Sequence, residues 1–461
     1  MGQIHGISII IPTYNNLDST KICIGSILKY TAPPYEIIVV DNHSTDGTIP
    51  WLKTLGYVKL ILNDNNKGLP TAYNQGAEIA DINNDIALLH NDVYVTKNWL
   101  ENMHLALHSD INIGAVSCVT STALYSQSIE TNYNNLAQMQ AFAEEFNRSN
   151  PGSWEKRVVL VDYCTLINRS AINKIGLLDE IFTPGNFEWD DYSYRLNLAG
   201  YKLLLCKDTF VHHENSSMFN EAYTPSEQAS ILCGGRQKFI NKWGFATAYS
   251  KAIRLDLIQF IENSNKKPSN VLEVGCGCGA TLLKIKDLYK DVSLYGIEIN
   301  PMPAKIASGF SHVYTGDVET MQFGYPDNYF DCIIFGDVLE HLRDPWGLLQ
   351  RIKKHLSPDG VILASLPNIM HFSILLGLIN GSWQYTDAGI LDKTHLRFFT
   401  LEGIISLFHE SGYKISNIKA IDTKINDQRT EDLIKHLTLI SSPDKASQYK
   451  VFQYLIEAGK S

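Results

Sequence analysis

Two places in the 461-residue chain show the same order of features: an unbroken apolar run, a turn, and a helix-like segment. The first is ISIIIP at 7–12, followed by a helix-like stretch at 18–30 and a second apolar run, EIIVVD, at 36–41. The other is VLEVG at 271–275, followed by a helix-like stretch and SLYGIE at 293–298. Continuous apolar strands that alternate with helices predict parallel sheets covered on both faces. Two such starts predict two α/β domains.

The spacing of these starts predicts how the chain is divided. We expect a first domain over residues 1–246, a second over 247–424, and a helical C-terminal tail over 425–461. The polar, Asn-rich stretch at 126–156 is typical of an insertion, and its pattern predicts a short helix at 136–146.

Composition excludes some classes of partner and indicates a compartment. The formal net charge of −10 disfavours a nucleic-acid substrate, because phosphate-backbone binding requires cationic surface. The eight scattered cysteines are typical of reduced, buried thiols in a reducing compartment. The start of the chain lacks the pattern of a signal peptide, and FSILLGLI at 372–379 is too short to span a membrane. We therefore expect a cytoplasmic protein with no membrane span, while peripheral contact with a membrane stays open.

Polar residues follow both early strands of the first domain. Thr13, Tyr14 and Asn15 come after the first strand, and Asp41 and Ser44 come after the second. Ligands of doubly wound sheets bind at the carboxyl ends of the strands, so these residues are candidates for a nucleotide site. A carboxylate such as Asp41 can accept from a base or a ribose. On this segment alone, a plain turn with Asp41 as a helix cap is equally favoured.

Two further segments add candidates for the same edge. NDNNKGLPTAYNQG at 63–76 carries Gly68, which allows close approach of the backbone to a ligand, and Asn74, which offers donors and an acceptor. On its own, this segment is better explained as a glycine turn that starts a helix. Asp92 directly follows the apolar run ALLH, and a carboxylate beside a diphosphate can hold Mg²⁺ or Mn²⁺.

The last polar segments of the first domain contain acidic residues and a histidine pair. Glu188, Asp190 and Asp191 lie within four residues. Repulsion between crowded carboxylates raises the pKa of one of them, which is then suited to act as a base. Acidic residues also favour a helix N-terminus through its dipole, which is the alternative explanation. His212 and His213 follow a strand, where a histidine pair is more often structural than metal-binding.

Taken in order, these segments resemble the family 2 glycosyltransferases of GT-A fold over roughly residues 5–245. The shared marks are SIIIPTYN, VVDNHSTDGT, N-x-G-x-x-x-A-x-N-x-G, ND after a strand, the acidic run with Arg195 and GYK, and His before NSS. The resemblance implies an inverting transferase that uses a nucleoside-diphosphate sugar, a glycan or lipid-linked oligosaccharide acceptor, and a divalent metal (Mg²⁺ or Mn²⁺). It implies that the donor is bound by Pro12, Thr13, Tyr14, Asn15, Asp41, Ser44, Gly68, Asn74 and Asn91. Asp92 would hold the metal together with His213, or with His212 as the second choice. A carboxylate among Glu188, Asp190 and Asp191 would act as the base.

The chain departs from the family pattern at two positions. The family's D-x-D is His90-Asn91-Asp92 here, so only the last acidic position remains. The family's E-D is Glu188-Trp189, followed by Asp190 and Asp191, which leaves the base open, with Glu188 and Asp191 favoured. The first departure also leaves open a non-catalytic front domain that binds glycan.

The second domain begins with a glycine-rich turn, VLEVGCGCGATLLKIKDL at 271–288. The spacing G-x-G-x-G after Glu273 differs from the dinucleotide fingerprint G-x-G-x-x-G and suits a ligand without a pyrophosphate. Glu298 ends the next strand, where an acid can accept from ribose hydroxyls. Asp317 and Asp337 lie at two later strand ends.

This order resembles the class I S-adenosylmethionine (SAM) dependent methyltransferases over roughly residues 255–420. The shared segments are VLEVGCGCG, EIN, GDVE, FDCIIFGDVLEHL and SPDGVILASLPN. The resemblance implies a Rossmann-like fold and SAM as the cofactor. The SAM-binding residues it implies are Glu273, Gly275, Cys276, Gly277, Gly279, Glu298, Ile299, Asp317, Val318 and Asp337.

The methyl acceptor is less constrained. His371 and His395 are candidate bases for O-methylation, and each is at least as well explained as a structural histidine. The segment LDKTHLRFFT at 391–400 resembles a segment of methyltransferases from bacterial surface-polysaccharide clusters. We therefore expect a bifunctional enzyme that adds a sugar to a bacterial surface glycan and methylates a sugar hydroxyl. Methylation of an amine or carboxyl group, with a non-catalytic front domain, is the alternative.

Overall fold

The computed structural model divides the chain into two compact units, Met1–Ala252 and Ile253–Ser461. The boundary falls a few residues after the predicted one at 246. Lys251 pairs with the buried carboxylate of Asp190, which ties Lys251 to the first unit. The structure describes residues 6–123, 126–214, 222–247, 251–264 and 266–461.

The first unit is built on an eight-stranded sheet with the strand order β3-β2-β1-β4-β8-β6-β9-β7. Strands β3, β2, β1 and β4 are parallel to one another, and β8 runs antiparallel to both of its neighbours, β4 and β6. A separate two-stranded sheet joins β5 to β10. The strands are β1 Ile7–Thr13, β2 Tyr35–Asp41, β3 Val58–Leu62, β4 Asp85–Leu89, β5 Val93–Tyr94, β6 Ile113–Val119, β7 Glu155–Arg157, β8 Cys164–Ile167, β9 Lys202–Phe210 and β10 His212–His213.

Helices cover the large sheet, and the apolar strands are therefore buried on both faces. All seven residues of β1 are buried, as an unbroken apolar run in a central parallel strand requires. The helix predicted in the polar insertion is present as Leu136–Phe146. The helices are α1 Leu17–Tyr30, α2 Thr48–Leu52, α3 Gly68–Ile79, α4 Trp99–Leu107, α5 Leu136–Phe146, α6 Arg169–Ile175, α7 Glu188–Leu198 and α8 Pro225–Trp243.

The second unit is built on a seven-stranded sheet with the order β13-β12-β11-β14-β15-β17-β16. The strands from β13 to β15 are parallel, and β17 runs antiparallel between β15 and β16. The strands are β11 Asn270–Val274, β12 Ser293–Glu298, β13 His312–Thr315, β14 Phe330–Gly336, β15 Leu356–Pro367, β16 Tyr413–Asp422 and β17 Val451–Lys460. The helices are α9 Leu255–Asn263, α10 Ala280–Leu288, α11 Pro301–Ala307, α12 Pro345–Ile352, α13 Phe372–Ile379, α14 Leu401–Glu410 and α15 Gln428–Ile440. The prediction of two α/β domains with parallel sheets is confirmed.

The prediction of a helical tail over 425–461 is wrong for its last part. This segment contains α15, but it ends in β17, whose residues pair with both β15 and β16. Tyr454, Leu455 and Ile456 of β17 are buried in the core of the second unit. The tail therefore completes the second sheet, because β15 and β16 meet only through it.

Among the described residues, none of the helices combines the length and the apolar character needed to cross a membrane.

Candidate active sites

The carboxyl ends of β1 and β2 form a polar cradle in the first unit. The backbone N–H of Asn15 donates to Oγ of Ser44 (2.7 Å), and the N–H of Ser44 donates to Oδ1 of Asp41 (2.8 Å). Parallel pairing sets Thr13 opposite Asp41, and the N–H of Asn42 donates to the carbonyl of Thr13 (2.8 Å). The two loops are thus tied together where a nucleotide would bind.

One carboxylate oxygen of this cradle is left without a partner. Asp41 is fully buried, and its Oδ2 finds no hydrogen-bond partner among the residues that the structure describes. A buried acceptor in this state gains free energy from an N–H or O–H donor of a ligand. Of the neighbouring predicted residues, Pro12 is buried within β1 and Tyr14 is half-buried at the start of the turn.

Two residues of the predicted nucleotide site make structural contacts. The amide Nδ2 of Asn74 donates to the carbonyl of Leu178 and to Glu180, and its Oδ1 accepts from the N–H of Leu178 (3.0 Å). Asn74 therefore fixes a neighbouring loop, and both of its N–H donors are used there. Gly68 has a φ of +77°, and a Cβ there would lie 2.6 Å from Cα of Pro184, so this glycine is needed for packing.

The turn after β4 and the β5–β10 pair bring together a carboxylate and two histidines. The antiparallel register sets His213 opposite Val93, which places its Nε2 3.3 Å from Oδ1 of Asp92. His90 lies beside them, with its ring centroid 5.6 Å from that of His213. One ligand atom from each of His90, Asp92 and His213 lies within 4.8 Å of the others, which is the spacing of a metal site.

The donor atoms of this cluster fit a cation. Nε2 of His90, Oδ2 of Asp92 and Nε2 of His213 are buried and lack a hydrogen-bond partner within the described part of the chain. Asp162 adds a second carboxylate, with its Oδ2 3.5 Å from Nε2 of His90. Burial alone would lower the pKa of His90, but Asp162 raises it above its ordinary value.

His212, the other histidine of the pair, is held by side chains of the fold. Nδ1 of His212 lies 2.6 Å from the hydroxyl of Tyr133 and 3.2 Å from that of Ser121. Burial lowers the pKa of His212. The structure thus directs His213, and not His212, toward Asp92. Asn91, which was predicted to bind the nucleotide sugar, is buried, and its Nδ2 donates a hydrogen bond to Oγ1 of Thr20 (3.0 Å).

The acidic run begins α7, and Glu188 is its one member that is not paired with a cation of the described chain. Glu188 is 3% exposed, and its Oε2 has no hydrogen-bond partner in the described ranges. Burial, followed by the charge of Asp162, raises the pKa of Glu188 to about 8. A carboxylate with a raised pKa is suited to accept a proton.

The other two acidic residues are held by cations of the chain. Asp190 is paired with Lys251, and burial still raises its pKa. Asp191 accepts from Nε of Arg195 (2.9 Å) and Nε1 of Trp243 (2.9 Å) and pairs with Lys242. The favoured pairing of Glu188 with Asp191 as functional groups is therefore corrected: Asp191 anchors α7 to α8, because its oxygens are taken up by these donors.

The glycine turn of the second unit follows β11. Gly275 and Gly279 have φ values of +71° and +77°, and a Cβ on Gly275 would lie 2.6 Å from Val338. Only glycine accommodates this backbone at such close approach. Gly277 donates its N–H to Oε2 of Glu298 (2.9 Å), and Cys276 is buried in the core.

Glu273 is buried directly below the glycine turn. It is 5% exposed, and its Oε2 is without a hydrogen-bond partner among the described residues. Burial raises the pKa of Glu273 to about 8, although Thr281 and Arg254 act in the opposite direction. A positively charged ligand group above the glycines would offset this cost.

The ends of β12 and β13 carry the next predicted residues. Glu298 also accepts from the N–H of Asn300 (2.8 Å), and Ile299 is 68% exposed, so a large apolar side chain is presented beside it. Asp317 accepts from the N–H of Glu319 (2.8 Å). Val318 is buried in the core, which gives its side chain a packing role and corrects its assignment to the ligand site.

Asp337 follows β14 in a left-handed conformation, with a φ of +54°. Its carboxylate accepts from Arg254 (2.9 Å), Ser365 (2.7 Å) and Gln453. These three donors come from distant parts of the chain, and Gln453 lies on β17. The C-terminal strand therefore helps to fix a predicted SAM-site residue.

The two candidate methyltransferase bases differ in their surroundings. Nδ1 of His371 accepts from Ser373 at the start of α13, and its Nε2 lies 2.9 Å from Oγ1 of Thr423. Burial lowers the pKa of His371 to about 4. His371 is thus a helix cap with both nitrogens occupied, which corrects its assignment as a base. His395 lies close to His341, with ring centroids 4.7 Å apart.

Sequence reasoning missed three contributors to these sites. His90 stands where the family's D-x-D motif has its first aspartate, so the motif indicates only a missing carboxylate there, although histidine is itself a common metal ligand. Asp162 and Arg254 lie outside the motifs, and only folding brings them beside His90 and Asp337.

The two sites define a chain of two ligand-binding transferase-like domains. Residues 8–176 match the family model described as glycosyl transferase family 2, and residues 245–417 match that described as methyltransferase domain. The chain therefore combines a family 2 glycosyltransferase domain with a methyltransferase domain.

Curated relatives match each domain separately. The first domain is similar to glycosyltransferase AglE of Haloferax volcanii, with 26% identity over 45% of this chain and 66% of that protein. It is also similar to the uncharacterized glycosyltransferase YibD of Escherichia coli, with 30% identity over 28% of this chain and 40% of that protein. The second is similar to ajmaline N-methyltransferase of Rauvolfia serpentina, with 37% identity over 19% of this chain and 32% of that protein. The chain thus spans less than two thirds of each of these relatives.

Two solved structures align with parts of the chain. A structure of GalNAc-T7 with UDP, GalNAc and Mn²⁺ aligns at 17% identity with a TM-score of 0.38, covering 46% of this chain and 44% of that one. A SAM dependent methyltransferase from Archaeoglobus fulgidus aligns at 18% identity with a TM-score of 0.34, covering 49% of this chain and 99% of that one. Both TM-scores are low, so the fold assignment rests on the strand topology and the family models.

Proposed function

We propose that the first domain transfers a sugar from a nucleoside-diphosphate sugar to a hydroxyl of a glycan or lipid-linked oligosaccharide, with inversion at the anomeric carbon. The observation that carries this proposal is Glu188, a buried carboxylate with a raised pKa beside the His90–Asp92–His213 cluster. Asp190 and Asp191 are paired with cations, so Glu188 is the member of the run best placed to act as a base.

The strand-end cradle supports the binding of the donor nucleotide. Oδ2 of Asp41 can accept from a base or ribose donor, while Asn15 and Ser44 hold the two loops in place. His90, Asp92 and His213 would hold a divalent cation, which when bound offsets charge on the departing diphosphate. Glu188 would take the proton of the acceptor hydroxyl as its oxygen attacks the anomeric carbon and the bond to the diphosphate breaks.

The second domain is proposed to methylate a sugar hydroxyl. SAM supplies the methyl group when bound, and Glu273 beneath the glycine turn would face its ammonium group. The ring of Phe398 lies 5.5 Å from that of Trp383 and 6.3 Å from that of His395. Trp383 is 39% exposed and Tyr385 56% exposed, and such aromatic faces suit stacking on a sugar ring.

We place the two reactions in the assembly of a bacterial surface glycan. Joining the domains in one chain raises the effective concentration of the glycosylated product at the methyltransferase site. The resemblance of residues 391–400 to a segment of methyltransferases of polysaccharide clusters supports this setting.

A donor and acceptor panel tests the proposal on the full chain. UDP-, dTDP- and GDP-sugars with Mn²⁺ or Mg²⁺ are offered together with oligosaccharide acceptors, and release of the nucleoside diphosphate is measured. We expect one nucleotide to support transfer, followed by methylation of the product when SAM is added. Binding of a nucleotide without turnover, for every donor and acceptor, would instead support a glycan-binding front domain.

An amine acceptor is the second candidate for the methyltransferase. Named relatives of this domain are N-methyltransferases, including phosphoethanolamine N-methyltransferase 1 of Arabidopsis thaliana, 33% identical over 23% of this chain. Matched sugars with a hydroxyl or an amino group at the same carbon distinguish the two candidates. We expect methylation of the hydroxyl sugar, and methylation of the amino sugar alone would favour the second candidate.

A further inference from the structure

A second cluster of potential metal ligands lies in the methyltransferase domain. One ligand atom from each of Glu340, His341 and His395 lies within 4.8 Å of the others. Glu340 and His341 follow β14, whereas His395 belongs to a loop far along the chain. The N–H groups of Leu396 and Arg397 donate to the carbonyl of Glu340 (2.8 and 2.9 Å), which holds the two segments together.

The carboxylate of this cluster is buried without a hydrogen-bond partner in the described part of the chain. Glu340 is 1% exposed, and neither of its side-chain oxygens has a hydrogen-bond partner among the described residues. A carboxylate in this state is costly unless a positive charge is bound beside it.

Backbone carbonyls fix the proton position of the two imidazoles. Nδ1 of His395 lies 3.0 Å from the carbonyl of Ile390, and Nδ1 of His341 lies 3.2 Å from the carbonyl of Thr394. Because a carbonyl only accepts, each Nδ1 carries the proton, which leaves the lone pair of each Nε2 for a cation. Backbone carbonyls commonly accept from metal-binding histidines in this way.

We propose that Glu340, His341 and His395 bind a divalent transition-metal ion such as Zn²⁺ or Mn²⁺. Two histidines and one carboxylate are a common donor set for such ions and leave coordination positions open. Phe398 packs against His395 and against the exposed Trp383, so an open position lies near the surface that suits a sugar.

The cation would position the acceptor of methyl transfer, a role that rests on the proposed function. A hydroxyl oxygen bound there loses its proton to water more readily. Its lone pair then forms the new bond to the methyl carbon, while the S–CH₃ bond breaks and its electron pair stays on sulfur to give S-adenosylhomocysteine. Glu340 follows Asp337, a residue of the predicted SAM site, by three positions, so the proposed cation would lie near the methyl donor.

Metal binding is measured on the full chain by equilibrium dialysis with ZnCl₂ or MnCl₂. Asp92→Asn combined with His213→Asn removes the front cluster, and we expect this variant to retain about one ion per chain. Adding Glu340→Gln or His395→Asn should weaken that binding about 100-fold. His409→Gln, on an exposed histidine of the same domain, is the matched control and should leave it unchanged.

Retained SAM binding in every variant shows that the second domain is folded. If the front-cluster variant bound no ion, or if Glu340→Gln bound it with unchanged affinity, the site would not exist. The rate of methyl transfer with and without EDTA tests the role of the cation separately from the methylation of a sugar hydroxyl. Equal rates would overturn the acceptor role and leave the methyltransferase proposal intact. Metal binding without methylation of any sugar hydroxyl would contradict the proposed substrate and leave the site intact.

Discussion

Both domains contain carboxylates that the fold pairs with a cation and carboxylates that it leaves unpaired. In the first domain, cations of the chain pair with Asp190 and Asp191, while Glu188 beside them is left without one. In the second domain, Arg254 pairs with Asp337, while Glu273 and Glu340 keep buried oxygens without a hydrogen-bond partner among the described residues. The charge of a paired carboxylate is offset by the fold, whereas an unpaired one gains free energy when a ligand supplies a donor or a positive charge. The difference in pairing therefore separates acidic residues that a motif alone does not.

The largest effect is expected from Glu188→Gln, which removes the proposed base and keeps the shape of the side chain. The rate of sugar transfer should fall by about 10²–10⁴-fold, since an amide cannot take the acceptor proton. The measurement is the initial rate of nucleoside-diphosphate release at saturating donor. The melting shift caused by SAM serves as the control and should not change. A wild-type rate would remove Glu188 from the mechanism.

Asp191→Asn should lower the stability of the fold, whereas Glu188→Gln should lower the rate of sugar transfer. The substitution leaves Arg195 and Lys242 without their buried partner, and we expect the free energy of unfolding to fall by about 3 kcal/mol. Chemical denaturation followed by tryptophan fluorescence measures this change. Lys242→Met in the same variant should recover part of the loss. If stability were unchanged while transfer was abolished, Asp191 would belong to the chemistry after all.

Glu273→Gln tests the corresponding carboxylate of the second domain. Burial raises its pKa from 4.5 to about 8, so the protonated form stabilises the fold at low pH, and this stability is lost as the pH rises from 4.5 toward 8. The ligand-free variant should therefore melt at a higher temperature than wild type at pH 8, with little difference at pH 4. Affinity for SAM should fall about tenfold, because the carboxylate no longer meets the ammonium group. Unchanged affinity in calorimetry would show that Glu273 does not face the ligand.

The smallest effect is expected from His371→Ala. Loss of this helix cap should lower the free energy of unfolding by about 1 kcal/mol, with no change in the rate of methyl transfer. His371→Asn keeps a capping side chain and should restore most of the stability. A large loss of rate with wild-type stability would return His371 to the role of a base.

Much of the fold could be predicted from local sequence. The apolar runs of β1, β2, β11 and β12 and the helix Leu136–Phe146 appear where the periodicity indicates them, because burial on both faces of a parallel sheet dictates composition. The C-terminal strand β17 could not be predicted in this way, since its position between β15 and β16 depends on pairing with strands that lie earlier in the chain.

The candidate sites were predictable in part. The motifs predicted Asp41, Asp92, Glu273 and Asp337 as candidate ligand-binding residues. They did not predict which polar side chains would form hydrogen bonds within the fold. Asn74 is occupied by the backbone of Leu178, and Asp191 by Arg195, Trp243 and Lys242. These partners come from other elements, so only the folded chain distinguishes a structural polar residue from a free one.

Two working ligand sites, one in each domain, are most directly tested by thermal melting of the full chain. The chain is melted with UDP, dTDP or GDP plus Mn²⁺ and, separately, with SAM. A ligand at 100 times its dissociation constant adds about 2.7 kcal/mol to the state it binds. We expect stabilisation by one nucleotide that Asp41→Asn weakens, and stabilisation by SAM that Glu273→Gln weakens, with neither substitution affecting the other ligand. A chain that responded to SAM and to none of the nucleotides would contradict a working nucleotide site in the first domain.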